Sequence, residues 1–254
     1  MAADPLIVVA GLFGLVVGSF LNVCIHRVPR HESIVTPRSR CTRCGHMIAW
    51  YENIPLASWI ALGARCRGCG ERISVMYPIV ELTTGALFAL TYWQCGLSPL
   101  LGVRLVFAAV LVVLFAIDLE HQILPNAITL PAVVLGLAAS PLGPGWRASL
   151  IGIIVGGLIP FLIAEGYYRL RKQEGLGMGD VKMLAMIGAV LGWAPMLLTL
   201  VFASFAGAVV GLALIAAGRG NMQRALPFGT FLAVAALVAA YAGEPIITWY
   251  LGYW

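Results

Sequence analysis

The feature that most constrains this 254-residue chain is a succession of apolar runs, several of them long enough to cross a lipid bilayer. A transmembrane helix needs about 20 predominantly apolar residues. Hydrophobic residues make up 61% of the chain and charged residues 11%, whereas soluble domains are about half apolar and about a quarter charged. The mean hydropathy of +0.93 agrees with this difference. The sequence therefore predicts an all-α polytopic membrane protein.

The apolar runs predict eight transmembrane helices, near residues 6–28, 77–95, 100–118, 126–141, 148–169, 181–192, 195–217 and 227–242. One uninterrupted helix over residues 181–218 would be about 57 Å long at about 1.5 Å per residue. Because the hydrocarbon core is only about 30 Å thick, we expect a break at residues 192–195, which read Gly-Trp-Ala-Pro. The first run lacks a basic segment before it and a small-residue cleavage site after it, so it is predicted to remain as a span.

Lys and Arg residues near the ends of the spans predict the orientation of the chain. With eight crossings, fourteen of the sixteen fall on one side, which is then cytoplasmic, and both termini lie outside. The fourteen are Arg27, Arg30, Arg38, Arg40, Arg43, Arg65, Arg67, Arg72, Arg169, Arg171, Lys172, Lys182, Arg219 and Arg224. The net charge of +5 follows from this distribution and gives no reason to expect nucleic-acid binding.

Residues 29–76 form the only sizeable polar segment, and they hold two CxxC pairs, Cys41 with Cys44 and Cys66 with Cys69. The pairs are separated by 21 residues, slightly beyond the usual window of about 15–20 for a four-cysteine zinc site. Each CxxC turn presents two thiolates to one metal, which suits tetrahedral zinc. Disulfides are disfavoured on a reducing cytoplasmic face, and the duplication disfavours a redox motif. We predict a small zinc-ribbon-like loop domain that binds a structural Zn²⁺ ion.

Two aspartates stand at the ends of apolar runs: Asp118 closes the run over residues 100–117, and Asp180 opens the run over residues 181–218. Ionisable residues at the depth or edge of a bilayer are costly, so they indicate function. In the predicted topology both lie at the cytoplasmic face, where the two carboxylates can meet and share one proton. The ionised member of such a pair can take a proton from water while the protonated member hydrogen-bonds a scissile carbonyl. Either aspartate could be the base, and the alternative is that Asp180 only caps the sixth span.

The residues around the aspartates resemble a known family. Residues 177–180, Gly-Met-Gly-Asp, resemble the GxGD signature of membrane-embedded aspartyl proteases, and residues 116–118 with the Leu-Pro pairs at 124–125 and 130–131 are similar to type IV prepilin peptidases. Four further segments resemble signatures of that family, so the resemblance covers nearly the whole chain. They are residues 18–29 (GSFLNVCIHRVP), 52–56 (ENIPL), 72–81 (RISVMYPIVE) and 227–229 (PFG).

This resemblance implies a bifunctional enzyme of the bacterial cytoplasmic (inner) membrane. It would cleave the basic leader from type IV prepilins and type II secretion pseudopilins at the cytoplasmic face, and then methylate the new N-terminal amine with S-adenosylmethionine. Asp118 and Asp180 are the implied catalytic pair. Gly177 and Gly179 would let the backbone approach a substrate strand closely or adopt positive φ. Lys182 could hold the charge of Asp180, or it is simply one of the cytoplasmic cations.

Four residues are weaker candidates for methyl transfer: Glu52, Glu81, Trp50 and Tyr51. They would hold the sulfonium group of S-adenosylmethionine by charge and cation–π attraction. Two of them have plainer alternatives, because Glu81 could form a salt bridge with a loop arginine and Trp50 is expected to be buried in apolar packing. No dinucleotide-type GxGxxG motif after a strand is visible, so the sequence does not locate the methyl-donor site.

Two acidic residues near the aspartates, Glu120 and Glu174, are candidates for contact with the substrate. The basic leader must approach a face that carries fourteen Lys and Arg residues, so a local acidic group has to compensate. The equally weighted alternative is that the two glutamates pair with Arg171, Lys172 or Lys182.

Two other classes of function are considered. In a transporter or channel, paired intramembrane acids relay protons or bind cations, but such folds often carry inverted repeats, and the two halves of this sequence do not match. A membrane scaffold with a zinc loop would leave both aspartates unexplained. The predicted division of the chain is therefore a first transmembrane helix at 1–28, the four-cysteine loop at 29–76 and a transmembrane peptidase bundle at 77–254.

Overall fold

A computed structural model of the chain describes residues 4–172, 177–218 and 226–252. Helices dominate these residues, which contain no β-strand beyond two isolated bridges. The helices are α1 (Pro5–Arg27), α2 (Ala57–Ala61), α3 (Met76–Cys95), α4 (Pro99–His121), α5 (Asn126–Ala139), α6 (Trp146–Ile153), α7 (Ile159–Arg171), α8 (Met178–Leu191), α9 (Trp193–Ala216) and α10 (Phe228–Leu251). The chain divides into two compact units, Met1–Val113 and Leu114–Trp254.

The predicted fold class, an all-α multi-pass membrane protein, is confirmed. Each of the eight apolar runs is helical, and α6 continues into α7 through a π-helical segment, Ile154–Leu158. By length and composition, five helical segments could cross a membrane: Pro5–Arg30, Pro99–His121, Trp146–Arg171, Trp193–Ala216 and Phe228–Leu251. Of the other predicted spans, α3 has 20 residues, and α5 and α8 have 14 residues each. The last helix continues to Leu251 with Pro245 inside it, so the predicted end near residue 242 is wrong.

In the first unit, small residues let α1 and α3 pack at short distance. A Cβ atom added to Gly14 would lie 2.8 Å from the carbonyl oxygen of Thr84, and one added to Gly18 would lie 2.7 Å from Cα of Glu81. Asn22 donates a hydrogen bond from its side chain to a backbone carbonyl of α3 at 3.2 Å. Gly14, together with Gly18 and Asn22 of the N-terminal signature, therefore allows close helix packing and a polar contact between the two helices.

Helix α8 is the core of the second unit. It packs against α5, α6, α9 and α10, and the side chains of Met183, Met186 and Ile187 are fully buried. A helix that is apolar on all faces is normally buried, either inside the protein or in a membrane. Gly188 meets the backbone of Gly152 on α6 so closely that neither position has room for a side chain. This enclosure explains why the sixth predicted span is short: its neighbours, rather than lipid, cover most of its surface.

Candidate functional site

Asp118 lies near the C-terminal end of α4, is only 5% exposed, and is held by the start of another helix. The backbone N–H of Thr230 donates a hydrogen bond of 2.8 Å to its Oδ2 atom, and the N–H of Gly229 also hydrogen-bonds the carboxylate. Both N–H groups belong to the first turn of α10, which begins at Phe228. Such N–H groups lack a partner within their own helix and carry partial positive charge, so they favour a carboxylate over a neutral group.

Asp180 lies in the first turn of α8 and is partly buried. The cap of this helix is Gly177, so the interpretation of Asp180 as the N-cap is wrong. The negative charge of Asp118 acts on Asp180, and Leu124 contacts both the turn that carries Asp180 and the turn that hydrogen-bonds Asp118. The structure therefore brings together the two aspartates that the sequence singled out, at the ends of α4 and α8.

Glycines surround this pair where a larger residue would collide with it. A Cβ atom added to Gly229 would lie 2.9 Å from Oδ2 of Asp118, and one added to Gly177 would lie 2.9 Å from Oδ2 of Asp180. Gly177 has a φ of −65°, so close approach rather than positive φ accounts for the glycine. The sequence predicted that Gly177 lets the backbone approach a substrate strand, which stays a prediction, and it gave no role to Gly229.

Leu124 fills the space between the first turns of α8 and α10. A Cβ atom on Gly179 would lie 3.0 Å from Cβ of Leu124, and one on Gly229 would lie 3.0 Å from its Cδ1 atom. These distances are at the lower limit of real Cβ contacts. Leu124 thus sets the spacing between α8, which carries Asp180, and α10, whose first turn hydrogen-bonds Asp118.

The remaining candidates near the aspartates have different surroundings. Lys182 donates a hydrogen bond of 2.7 Å from Nζ to Oδ1 of Asn126, rather than to either aspartate. Glu120 is exposed, and its carboxylate lies 3.9 Å from Nε2 of His121. Glu174 lies outside the described residues.

The four CxxC cysteines of the first unit come together as predicted. All four sulfur atoms lie within 4.8 Å of one another, and the Cys41–Cys69 and Cys44–Cys66 Sγ distances are both 3.9 Å. Tetrahedral zinc with Zn–S bonds of about 2.3 Å requires sulfur atoms about 3.8 Å apart. The distances are far longer than a disulfide bond of about 2.05 Å. The donor set therefore fits a tetrahedral metal ion such as zinc.

The two CxxC turns repeat the same backbone geometry, a similarity that sequence reasoning did not detect. In each turn the N–H of the first cysteine donates to the carbonyl of the fifth residue after it at 2.8 Å. A glycine with positive φ follows the second cysteine, with φ values of 74° at Gly45 and 70° at Gly70. Backbone N–H groups of Cys44 and Arg43 stabilise the Cys41 thiolate and lower the pKa of that thiol to about 6. A metal ligand must be deprotonated, so this environment favours metal binding.

Glu52 connects the two turns of the loop. Its side chain is 6% exposed. It accepts a hydrogen bond of 3.0 Å from the N–H of Ala49 and lies 3.1 Å from Arg67 and 3.5 Å from His46. The Ala49 hydrogen bond, with the Arg67 partner, holds the pKa of Glu52 below its ordinary value. Both carboxylate oxygens have partners, so Glu52 stabilises the loop.

Glu81 supports a second part of the loop from the membrane helix α3. It is 7% exposed, accepts a hydrogen bond of 2.8 Å from the N–H of Leu56, and hydrogen-bonds the side chain of Ser19. Leu56 has a φ of 59°, and the N–H of Ala57 donates to the carbonyl of Pro55 at 2.6 Å, which is the pattern of a γ-turn. Among the described residues Glu81 forms no ion pair with an arginine, unlike the alternative considered for it.

The two aromatic candidates lie on the surface of the loop. Trp50 is 76% exposed and Tyr51 is 50% exposed, and their rings meet edge to face at 5.8 Å. The guanidinium of Arg67 lies 5.9 Å from the centre of the Tyr51 ring. The expectation that Trp50 is buried in apolar packing is therefore wrong, and its face is accessible to a ligand.

Comparisons with known proteins agree with this arrangement of sites. Residues 12–95, which include the four cysteines, match the family model described as "Bacterial Peptidase A24 N-terminal domain". Residues 105–212, which include both aspartates, match the model described as "Type IV leader peptidase family". No solved structure matches the chain significantly.

Curated relatives share one name, "Prepilin leader peptidase/N-methyltransferase". The protein of that name from Myxococcus xanthus is 52% identical over 213 residues, which span 83% of this chain and 64% of the relative. Those from Stutzerimonas stutzeri and Pseudomonas aeruginosa are 36% and 35% identical over 280 residues, which span 99% of this chain and 96% of each relative. These similarities extend over both the four-cysteine loop and the two aspartates. The chain therefore belongs to the type IV leader peptidase family.

Proposed function

We propose that this chain cleaves the leader from type IV prepilins and the related pseudopilins, and that it methylates the N-terminal amine so exposed. The observation that carries the peptidase proposal is the placement of Asp118 and Asp180 beside two helix turns that both contact Leu124, with Asp118 buried, Asp180 partly buried and a glycine against each carboxylate. The names of the relatives support both activities. The transporter alternative is not favoured, because no relative among them carries such a name.

The hydrogen bonds around the pair support a division of roles between the two aspartates. Asp118 accepts hydrogen bonds from the first-turn N–H groups of Gly229 and Thr230, and such donors stabilise an ionised carboxylate. Among the described residues Asp180 has no comparable donors. Asp118 is therefore the base that takes a proton from the attacking water, and Asp180 holds the proton that the scissile carbonyl oxygen receives. As the C–N bond of the tetrahedral intermediate breaks, Asp118 gives the proton it took from water to the leaving nitrogen, and Asp180 recovers its proton from the diol hydroxyl.

Replacement of Gly229 by alanine is expected to lower kcat for prepilin cleavage by about 10- to 100-fold. The new Cβ would lie 2.9 Å from Oδ2 of Asp118, so the carboxylate must move, and small misplacements of catalytic groups cost factors of this size. Gly243→Ala is the matched control in the same helix, because its Cβ would meet neighbours at ordinary distances of 3.7–3.8 Å. Steady-state cleavage of a prepilin peptide by both purified variants, with equal thermal stability, is the measurement. Equal kcat values in the two variants would contradict the proposed role of α10.

The methyl-transfer half of the proposal concerns the first unit. S-adenosylmethionine would supply a methyl group: its sulfonium C–S bond breaks, an N–C bond forms to the neutral amine, and the amine loses a proton to solvent. The four cysteines would hold a structural Zn²⁺ ion that keeps the loop folded. In the proposed orientation the loop at residues 29–76, the C-terminal end of α4 and the N-terminal end of α8 lie on the cytoplasmic side of the membrane. Both chain termini lie on the opposite side.

Neutralisation of Glu120 and Glu174 together is expected to raise the apparent KM for a basic leader by a few-fold and to leave kcat nearly unchanged. Exposed ion pairs are worth about 0.2–1 kcal/mol each, and uniform binding affects KM rather than kcat. Glu120 is exposed, and its carboxylate lies 3.9 Å from Nε2 of His121. The measurement is KM and kcat for cleavage by the Glu120→Gln, Glu174→Gln double variant and by the wild type. Each protein is tested with a precursor that has a basic leader and with one whose leader charge is neutralised. If KM rises equally for both precursors, the glutamates do not recognise leader charge.

The direct test of the function uses the purified chain in liposomes with a leader-bearing prepilin and S-adenosylmethionine. We expect release of the leader, followed by incorporation of one methyl group on the new N-terminal residue. Proton flux across the same liposomes tests the transporter alternative. Proton flux without leader release would overturn the proposal.

A further inference from the structure

The first unit contains a cavity of about 450 Å³ between the C-terminal half of α1 and the loop that follows it. Its walls include Ser19, Val23 and Arg27 from α1, and Ile48, Trp50 and Asn53 from the loop. Pockets for small ligands have volumes of about 300–1,000 Å³ and combine apolar walls with a few polar groups. We propose that this cavity is the binding site of the methyl donor S-adenosylmethionine, an inference that rests on the methyltransferase half of the proposed function.

A buried positive charge lies at one end of the cavity. Arg27 is only 8% exposed, and it donates hydrogen bonds of 2.8 Å to the carbonyl oxygens of Ser33 and Pro37. Within the described part of the chain, no carboxylate lies within 4.0 Å of its guanidinium. A buried cation whose partners are neutral carbonyls attracts an anion. The carboxylate of the methionine moiety is such an anion.

A buried carboxyl group, that of Glu81, lies behind the other end of the cavity. Ser19 lines the cavity and hydrogen-bonds the carboxyl group of Glu81. Pro55 also lines the cavity, and Glu81 holds the turn that contains Pro55 by accepting a hydrogen bond from the N–H of Leu56. Ser19 and Arg27 are two helical turns apart on α1, about 12 Å at about 1.5 Å per residue. This length suits an elongated ligand that carries a carboxylate at one end, as S-adenosylmethionine does.

The exposed ring of Trp50 supplies the third element of the site. The indole lines the cavity and is 76% exposed, so its face is open to a ligand. A cation over the face of a tryptophan gains electrostatic attraction that its neutral analogue lacks. The sulfonium of S-adenosylmethionine is a cation, whereas the thioether of S-adenosylhomocysteine is neutral. This difference gives the proposal a signature that a merely structural role for Trp50 would not produce.

The experiment measures equilibrium binding of S-adenosylmethionine and of S-adenosylhomocysteine to the purified full chain. Ile48→Trp fills the cavity and is expected to weaken both ligands by at least about 10-fold, since it leaves too little space for either. Trp50→Ala is expected to weaken S-adenosylmethionine by about 2- to 5-fold more than S-adenosylhomocysteine. The matched controls are Ile60→Trp and Trp93→Ala, at exposed residues that do not line the cavity; both should bind like the wild type.

Zinc content and prepilin cleavage, measured on every variant, establish that the loop and the peptidase centre remain folded. If Ile48→Trp binds both ligands as tightly as the wild type does, the cavity is not the binding site. The proposed function still stands in that case if the unmodified protein methylates the cleaved product. Equal weakening of both ligands in Trp50→Ala would overturn the cation–π contact. If the wild type cleaves prepilin but binds neither ligand, the methyltransferase half of the proposed function fails together with this site.

Discussion

Asp118→Asn and Asp180→Asn are each expected to reduce prepilin cleavage by at least about 10²-fold, since general acid–base catalysis by one positioned group contributes that much. Asparagine has the shape of aspartate but can neither take a proton from water nor supply one to a leaving group. In the Asp118→Asn variant the amide oxygen could still accept the N–H of Thr230, which donates to Asp118 at 2.8 Å. The fold should therefore survive while the chemistry is lost.

The measurement is cleavage of a prepilin by purified variants with unchanged thermal unfolding temperatures. Asp4→Asn is the matched control, because Asp4 caps α1 through a hydrogen bond to the N–H of Leu6, and asparagine caps helices as well as aspartate does. Methylation of a precleaved substrate should continue in both catalytic variants. Cleavage above a few per cent of wild type in either one would mean that the two carboxylates do not act as a pair.

Local patterns in the sequence were sufficient to predict much of this fold and the four-cysteine cluster. Apolar runs predict helices because a span of given length must be apolar, and the runs at residues 100–118 and 195–217 became α4 and α9. The CxxC pairs predicted a four-sulfur cluster because each pair presents two ligands from one turn, and the sulfur distances fit. The aspartates were recognised because charge at a bilayer edge is costly.

What the sequence did not reveal depends on contacts between distant segments. Thr230 holds Asp118 across 112 residues of chain, so the role of the Pro-Phe-Gly motif at 227–229 was not visible locally. Glu81 reaches Leu56 across 25 residues, and the local pattern suggested an arginine instead. Trp50 was expected to be buried because large aromatic residues usually are, but it lies on the surface of a loop too small to enclose it.

Helix α8 is shorter than a lipid-exposed transmembrane helix because other helices pack around it. A lipid-exposed span needs about 20 residues, but α8 has 14. Its apolar residues are covered by α5, α6, α9 and α10, so protein rather than the bilayer determines where it ends. Enclosure also places the first turn of α8, with Asp180, against Leu124.

Simultaneous replacement of Cys41, Cys44, Cys66 and Cys69 by serine is expected to reduce bound zinc from one ion per chain to none and to abolish methylation. Structural zinc supplies folding free energy to small domains that lack a hydrophobic core. The loop fits that description: Ile34, Val35, Met47 and Ile54 are all exposed. The ion pair of Arg43 with Glu71 is exposed as well, and such pairs stabilise little on their own.

The aspartate pair lies in the other compact unit, so prepilin cleavage by the four-serine variant should fall much less than methylation does. Elemental analysis of purified protein measures the zinc, and protease sensitivity of residues 38–72 measures the order of the loop. Cys24→Ser with Cys95→Ser is the matched control, because neither cysteine has a CxxC partner, and it should retain one zinc ion and both activities. Zinc that survives in the four-serine variant would show that the ion is bound elsewhere, and methylation that survives in it would separate methyl transfer from the zinc loop.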